Sequence, residues 1–397
     1  MKHDFDRIIE RTGTHALKWD GRACRFGTED VLPLWVADMD FAAAPAIVQA
    51  LQARAAHPVY GYTSRPDSLS EAMAQWMESR HAWHIATDWV LWAPGVVPSL
   101  HAVVLAFSAL GDGVIVQPPI YPPFFSAVTT TGRRLVENPL VYDNGSYRLD
   151  LGHLEQCARE ARMLLLCSPH NPTGRVWSEE ELHSILDIAR RHGLSVVSDE
   201  IHHDLVYPGQ RHTPTATLAS AHEVVTLAAP SKTFNIAGLG ISALIVPDAQ
   251  QRASLEQSFA QLHVSANNPF SIAACEAAYR HGGAWLDDLL AYLTETRDEA
   301  LDFIAQRLPR IKAIVPQGTC LLWLDCKAMN MSDAALQDYF VRRARVGLSP
   351  GAAFGQAGSG FMRLNLGAPR AVVREALERI EAALAGRLPA REYRAPC

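Results

Sequence analysis

The chain lacks the cysteine pattern of a stapled or thiolate-built protein. Its seven cysteines (24, 157, 167, 275, 320, 326 and 397) are odd in number and contain no C-x-x-C pair. Neither a disulfide framework nor a metal-ligand set is read from them, and reduced thiols in a cytoplasmic protein fit best. Their ordinary use is as small apolar side chains of the interior. An uninterrupted apolar run is also missing. The longest candidate, from Val96 to Val116, is broken by Pro98, Ser99, His101, Ser108 and Asp112, too often to span a bilayer. Basic excess is lacking as well: 36 Lys and Arg face 42 Asp and Glu, a net charge of −6. That argues against a nucleic-acid or anionic-membrane partner, since both select for a basic face. The N-terminus, Met1-Lys2-His3-Asp4-Phe5-Asp6-Arg7, has no apolar segment and does not read as a secretory signal. Internal repeats and low-complexity tracts are absent from the sequence.

What is present is an ordinary globular composition, 48% hydrophobic and 20% charged, over 397 residues. One hydrophobic core rarely organises that much chain, so two domains are expected. Between about residues 90 and 250, short β-branched runs alternate with longer amphipathic segments. The runs are Gly113–Gln117, Met163–Cys167, Leu194–Ser198, Val224–Ala228 and Ile241–Val246. Runs of this length, apolar at nearly every position, suit strands buried on both faces. Ser178 followed by Glu181 predicts a capping box, with Leu182, Ile185, Leu186 and Ala189 on one stripe and Gly193 as the stop. A second helix is expected from near Pro98 to Gly111, with Leu100, Val103, Val104 and Phe107 on one face. Strand–helix alternation of this kind implies an α/β fold, a mostly parallel sheet sandwiched by helices. After about Trp285 the pattern changes. Helices over Ala284–Arg307, Ser332–Arg345 and Arg370–Ala385, with strands at Leu321–Asp325 and Met362–Leu366, suggest a smaller α+β domain. The expected layout is an N-terminal arm (1–39) packing with that small domain, a large domain (40–284) and the small C-terminal domain (285–397). The tail Arg387–Cys397 reads as partly disordered.

Several residues stand where α/β proteins place ligands, at the carboxyl ends of strands. Lys232, in Ser231-Lys232-Thr233-Phe234-Asn235, follows the run Val224–Ala228; alone it reads as a solvated loop lysine. Asp199 follows Leu194–Ser198 and stands where a carboxylate could keep a pyridine nitrogen protonated, although an N-cap or turn role is the ordinary alternative. Asn171 sits in the rigid turn Ser168-Pro169-His170-Asn171-Pro172-Thr173-Gly174; its amide suits a phenolate oxygen or an Asx turn. The amides of Gly95, Val96 and Val97, ahead of a helix, suit a phosphate, or form a plain strand-to-helix turn. Tyr121 offers a stacking face or a core side chain. Arg363, in Met362-Arg363-Leu364-Asn365-Leu366, is costly in a strand unless it meets an anion, either a ligand carboxylate or an Asp or Glu of the chain.

In this order, Asn171-Pro-x-Gly, Asp199, Ser231-Lys232 and the late Arg363 resemble the aminotransferase class I/II superfamily, the fold-type I pyridoxal 5′-phosphate (PLP) enzymes, over nearly the whole chain. The strings Leu32-Pro33-Leu34-Trp35-Val36-Ala37-Asp38-Met39-Asp40-Phe41, Gly61-Tyr62-Thr63, Gln117-Pro118-Pro119, Ser198-Asp199-Glu200-Ile201-His202 and Pro230-Ser231-Lys232-Thr233-Phe234-Asn235-Ile236-Ala237-Gly238 resemble the cystathionine β-lyase branch, the PatB/MalY-type C–S lyases. The resemblance implies that Lys232 carries PLP covalently and acts as the catalytic base. It also implies that Asp199 faces the pyridine nitrogen, Asn171 donates to the 3′-oxygen with His202 nearby, and Tyr121 stacks on the ring. Arg363 would grip the substrate α-carboxylate. Tyr62 would reach the phosphate of a neighbouring subunit, making a homodimer with shared sites. Many aminotransferases carry a phosphate-binding arginine eight positions after the lysine; this chain has Gly240 there, leaving Ser231, the Gly95–Val97 amides and Tyr62 as phosphate contacts. The implied activity is α,β-elimination of L-cystathionine or a related cysteine S-conjugate to a thiol, pyruvate and ammonia. The same residues serve an aminotransferase, and a regulatory protein retaining the fold is a third reading.

Overall fold

The computed structural model describes residues 3–387. Its centre is a seven-stranded sheet built from Val90–Ala93 (β1), Gly113–Val116 (β2), Arg134–Glu137 (β3), Met163–Cys167 (β4), Ser195–Asp199 (β5), Val224–Ala228 (β6) and Ser242–Ile245 (β7). The spatial order is β1-β7-β6-β5-β4-β2-β3. Only β7 runs against its neighbours, β1 and β6; the other pairings are parallel. Every residue of β2, β4, β6 and β7 is buried, as a sheet covered on both faces requires. Leu165, Val197 and Val225 pack on one side with the helix Val96–Phe107 (α1). Leu164, Val196 and Val224 pack on the other with the helix Glu179–His192 (α2).

Helix α2 shows how local chemistry fixes an end. The Ser178 side chain accepts from the Glu181 amide at 3.2 Å, while the Glu181 carboxylate accepts from the Ser178 amide at 2.9 Å. Such a cap contributes about 1 kcal/mol. Leu182, Ile185, Leu186 and Ala189 are all buried, and Gly193 ends the helix in the left-handed conformation.

The C-terminal part carries a four-stranded antiparallel sheet. Its strands are Lys312–Ile314 (β8), Leu321–Asp325 (β9), Ser349–Pro350 (β10) and Phe361–Asn365 (β11), in the order β8-β9-β11-β10. Leu322, Leu324, Met362 and Leu364 pack with Ala300 and Ile304 of the helix Gly283–Arg307 (α3) and with Val373 and Leu377 of the helix Arg370–Leu384 (α4).

Residues 34–41 form an irregular, bent strap fastened to both sheets' loops. Asn365, at the end of β11, donates from Nδ2 to the carbonyls of Val36 and Asp38 at 2.7 and 2.5 Å. Asn235, just past Lys232, accepts from the Met39 amide and donates to the carbonyls of Met39 and Phe41, all at 2.8 Å. Beneath the strap, fully buried Lys18 meets Asp40 at 2.6 Å, and Arg11 bonds Asp40 and Asp38 at 2.6 and 2.8 Å. The buried ammonium is thereby paired, as its desolvation demands.

Some expectations are corrected here. Helix α1 begins at Val96 and ends at Phe107, with Pro98 inside its first turn, where a missing N–H costs nothing. The expected helix Ser332–Arg345 is α-helical only over Asp333–Asp338 and continues as a π-helical turn, Tyr339–Ala344. The expected runs do not include β1 and β3 of the large sheet, nor β8 and β10 of the small one. Of the six described cysteines, all free thiols, Cys24 is exposed rather than interior. The expectation for the tail falls on residues 388–397, outside those described.

Candidate active site

Strands β1, β2, β4, β5 and β6 share one direction, so the segments leaving their carboxyl ends gather at one sheet edge. Antiparallel β7 starts from that edge. A cavity of about 510 Å³ opens there. Its wall takes Gly95–Val97 from beyond β1, Tyr121 from beyond β2, and Asn171 from beyond β4. Asp199 comes from the end of β5 and His202 from the turn beyond it, Ser231 and Lys232 from beyond β6, and Arg363 from β11. Of the eleven residues expected at the site, ten line this cavity; Tyr62 is fully exposed and lies outside it.

Lys232 donates from Nζ to the Ala37 carbonyl at 2.6 Å, so the strap orients the amine. Burial holds the ammonium below its usual range, and the nearby Arg363 charge adds to the effect. Asp199, at the end of β5, is buried, and its Oδ1 accepts from the Ile201 amide at 3.2 Å. Burial pushes its carboxyl up to about 7, while the Ile201 amide and the Lys232 charge pull the other way. A cation placed against Asp199 would restore its ionised form. His202 is held down to about 3, by burial first and then by Lys232 and Arg363. It is therefore a neutral ring at pH 7, and its Nδ1 is buried without a hydrogen-bond partner. Burial raises the Tyr121 phenol.

Arg363 is buried and braced from three sides. Nη1 donates to Asn171 Oδ1 at 2.9 Å, and Nη2 donates to the Trp35 carbonyl at 2.9 Å and Ser349 Oγ at 3.4 Å. Its guanidinium lies 4.8 Å from the Phe354 ring centroid, and Nε has no partner. No carboxylate of the described residues pairs with it, so the alternative of a structural ion pair is not what the fold builds. Because Asn171 Oδ1 is engaged by Arg363, its Nδ2 remains the free donor. That is the group expected to meet a phenolate oxygen.

The phosphate end has a backbone solution. Gly95 sits at φ 157° and ψ 163°, a region open essentially to glycine alone. The amides of Gly95, Val96 and Val97 have no acceptor among the described residues, at the start of a twelve-residue helix. Three free N–H groups on a helix dipole suit a dianion. Gly240, where an arginine was the expected variant elsewhere, has φ 57°, and a Cβ there would meet the Pro94 carbonyl at 3.1 Å. The close approach explains glycine in structural terms.

Several cavity residues were missed by sequence reasoning. The carbonyls of Trp35 and Ala37 are backbone atoms, which no residue type announces. Ser349 is reached only through the small sheet, and its Oγ donates to the Trp35 carbonyl at 2.9 Å. Arg25, exposed at the mouth, stacks on Trp35 at 5.7 Å and has no carboxylate partner among the described residues.

The residues present fit PLP: a carboxylate awaiting a cation, an amine with lowered basicity, a free amide donor, and a cluster of unfilled helix N–H groups. The aminotransferase class I and II family model matches residues 29–380. Cystathionine beta-lyase PatB of Bacillus subtilis is 44% identical, covering 96% of this chain and all of PatB. Protein MalY of Escherichia coli is 36% identical over 92% of this chain and 95% of MalY. Cystalysin from Treponema denticola, whose crystal structure contains a PLP cofactor, superposes with a TM-score of 0.94 at 37% identity, over 97% of this chain and all of that one. The chain is a member of the aminotransferase class I and II family of PLP enzymes.

Proposed function

We propose that this enzyme cleaves the carbon–sulfur bond of L-cystathionine or a related cysteine S-conjugate, with PLP as cofactor. With water, cystathionine gives homocysteine, pyruvate and ammonia. The observation that carries the reading is the convergence of the Lys232 amine, the Asp199 carboxylate and the Arg363 guanidinium on one cavity, in a chain 44% identical to a cystathionine beta-lyase. PLP, when bound, supplies an electron sink for the charge left when a proton leaves the substrate α-carbon. Arg363 binds the α-carboxylate with its planar fork. Lys232 Nζ, its basicity lowered by burial, takes the α-proton. Asp199 would hold the cofactor's ring nitrogen protonated, and Asn171 Nδ2 and neutral His202 would serve its 3′-oxygen. Tyr121 would offer its ring to the cofactor's. Ser231 and the Gly95–Val97 amides would hold the phosphate. The charge of Arg25 at the mouth, which has no carboxylate partner among the described residues, supports a substrate with a second carboxylate at its far end, as cystathionine has.

The test is a panel of cystathionine, cysteine and S-methylcysteine assayed for pyruvate without any keto-acid acceptor. Pyruvate from all three, fastest from cystathionine, is expected. Turnover that appears only after 2-oxoglutarate is added would identify an aminotransferase instead.

The division into an arm (1–39), a large domain (40–284) and a small domain (285–397) belongs to the same reading, supported by the separate cores of the two sheets; limited proteolysis cutting first near residue 284 is its check. A cytoplasmic location is supported by the free thiols of Cys157, Cys167, Cys275, Cys320 and Cys326, and fractionation of cells would place the protein. No helix among the described residues is long and apolar enough to cross a membrane. A homodimer is supported by the exposed aromatic rings of Tyr60 and Tyr62, neither of which meets the chain's own cavity. Sedimentation should give a two-chain species; a fully active monomer would overturn this.

A further inference from the structure

One residue past the cavity-lining His202, and one past Lys232, the side chains of His203 and Thr233 both turn to Asp204. The Asp204 carboxylate is buried. It accepts from Thr233 Oγ1 at 2.8 Å and from Trp76 Nε1 at 3.1 and 3.3 Å. His81, the last residue of the helix Asp67–His81, lies with Nε2 at 2.8 Å from Asp204 Oδ1. His203 Nε2 lies 3.1 Å from Asp204 Oδ2. The three donor atoms are all within 4.8 Å of one another.

The tautomer of His203 is fixed by its other nitrogen. Nδ1 meets the Glu200 carbonyl at 2.5 Å, and a carbonyl only accepts, so Nδ1 carries the hydrogen. In a neutral ring, Nε2 then presents a lone pair to a carboxylate oxygen. His203 is 2% exposed, and Nε2 has no hydrogen-bond partner. Two lone pairs facing each other at this distance repel, so the arrangement calls for a positive species between them. A proton on His203 Nε2 satisfies that contact and an Nε2–H on His81 satisfies the other; a single metal ion would take the place of both hydrogens. The surroundings match how proteins hold metals. The non-ligating nitrogen of His203 is anchored on a carbonyl, and the carboxylate is oriented by an indole N–H and a hydroxyl.

We propose that His81, His203 and Asp204 bind a divalent transition-metal ion of the zinc class, with a structural role. Two imidazoles and one carboxylate select zinc-like ions over calcium or magnesium, which take oxygen ligands. Bonds of ~2.1 Å in a tetrahedron separate donor atoms by roughly 3.4 Å; the three donor atoms here lie within 4.8 Å of one another, and the two His–Asp contacts, made to different carboxylate oxygens, are 2.8 and 3.1 Å. The bound ion ties the end of the Asp67–His81 helix to the turn after β5 and, through Thr233, to the turn that carries Lys232. The site is separate from the PLP cavity and does not depend on which reaction the enzyme performs.

The experiment uses PLP-loaded protein, stripped with a chelator and dialysed against zinc chloride, with metal content measured after gel filtration. Cobalt(II) is loaded in parallel and read by its ligand-field absorbance to the red of the cofactor. We expect about one zinc per chain and a tetrahedral cobalt spectrum. His203→Gln and His81→Gln, which keep a polar group of similar reach, should each weaken zinc binding at least about tenfold and remove the cobalt bands while the cofactor's visible absorbance persists. No retained zinc in the native protein, or equal zinc in the native protein and His203→Gln, overturns the proposal. The native protein's cobalt spectrum decides it without any variant: octahedral, weakly absorbing cobalt also overturns it.

Discussion

Lys232→Ala is expected to lower pyruvate release by at least about 10²–10⁴-fold, the range that a positioned general base supplies, and to abolish the visible absorbance of lysine-bound cofactor. The side chain is well suited to moving a proton. Its amine is kept below the usual lysine range by burial, and its one hydrogen bond, to the Ala37 carbonyl, presents Nζ toward the cavity without neutralising it. That carbonyl lies in the strap fixed by Asn235 and Asn365. Strap, lysine turn and β11 are therefore tied together around the amine. The measurement pairs steady-state pyruvate production with absorbance and total cofactor content after gel filtration. Loss of turnover with PLP still present is the expected pattern, because Asp199, Asn171, Tyr121 and the α1 amides remain to bind it. Undiminished turnover in the variant would remove Lys232 from the chemistry.

The sequence made this site legible because the large sheet is regular. Strands β4 and β6 are readable residue for residue, since each is apolar at nearly every position and buried on both faces. Once their direction is common, the residues just beyond their carboxyl ends must share an edge. Asp199, Asn171 and Lys232 follow from that without coordinates. Strands β1 and β3 lie at the two sheet edges, and β3, Arg134-Leu135-Val136-Glu137, buries only Val136. An edge strand with one covered position carries little periodicity to find. The strap carbonyls and Ser349 were illegible for a different reason: their role is set by where the small sheet docks. The His81, His203 and Asp204 cluster joins positions 123 residues apart across a helix end and a turn, with no spacing to announce it.

Arg363→Ala is the second large effect, and it separates substrate recognition from cofactor recognition. The guanidinium is carried on β11, with Ser349 opposite it across the pair to β10. Burial lowers its basicity, bringing the guanidinium down only to about 10, so it remains a cation at neutral pH. Its partners, Asn171 Oδ1, the Trp35 carbonyl and Ser349 Oγ, are all uncharged. A buried charge met only by dipoles is costly, and a carboxylate arriving in the cavity offsets that cost. Truncating one side of a buried charge pair typically costs about 2–5 kcal/mol, so kcat/KM should fall by about 10²-fold or more, mostly through KM. Arg363→Lys should restore only part of the loss, because an ammonium lacks the fork that takes both carboxylate oxygens while bracing Asn171 and Trp35. Cofactor affinity, measured by equilibrium titration with PLP, should change far less. If both affinities fall together, Arg363 acts by holding Asn171 in place for the cofactor, and the substrate carboxylate is gripped elsewhere.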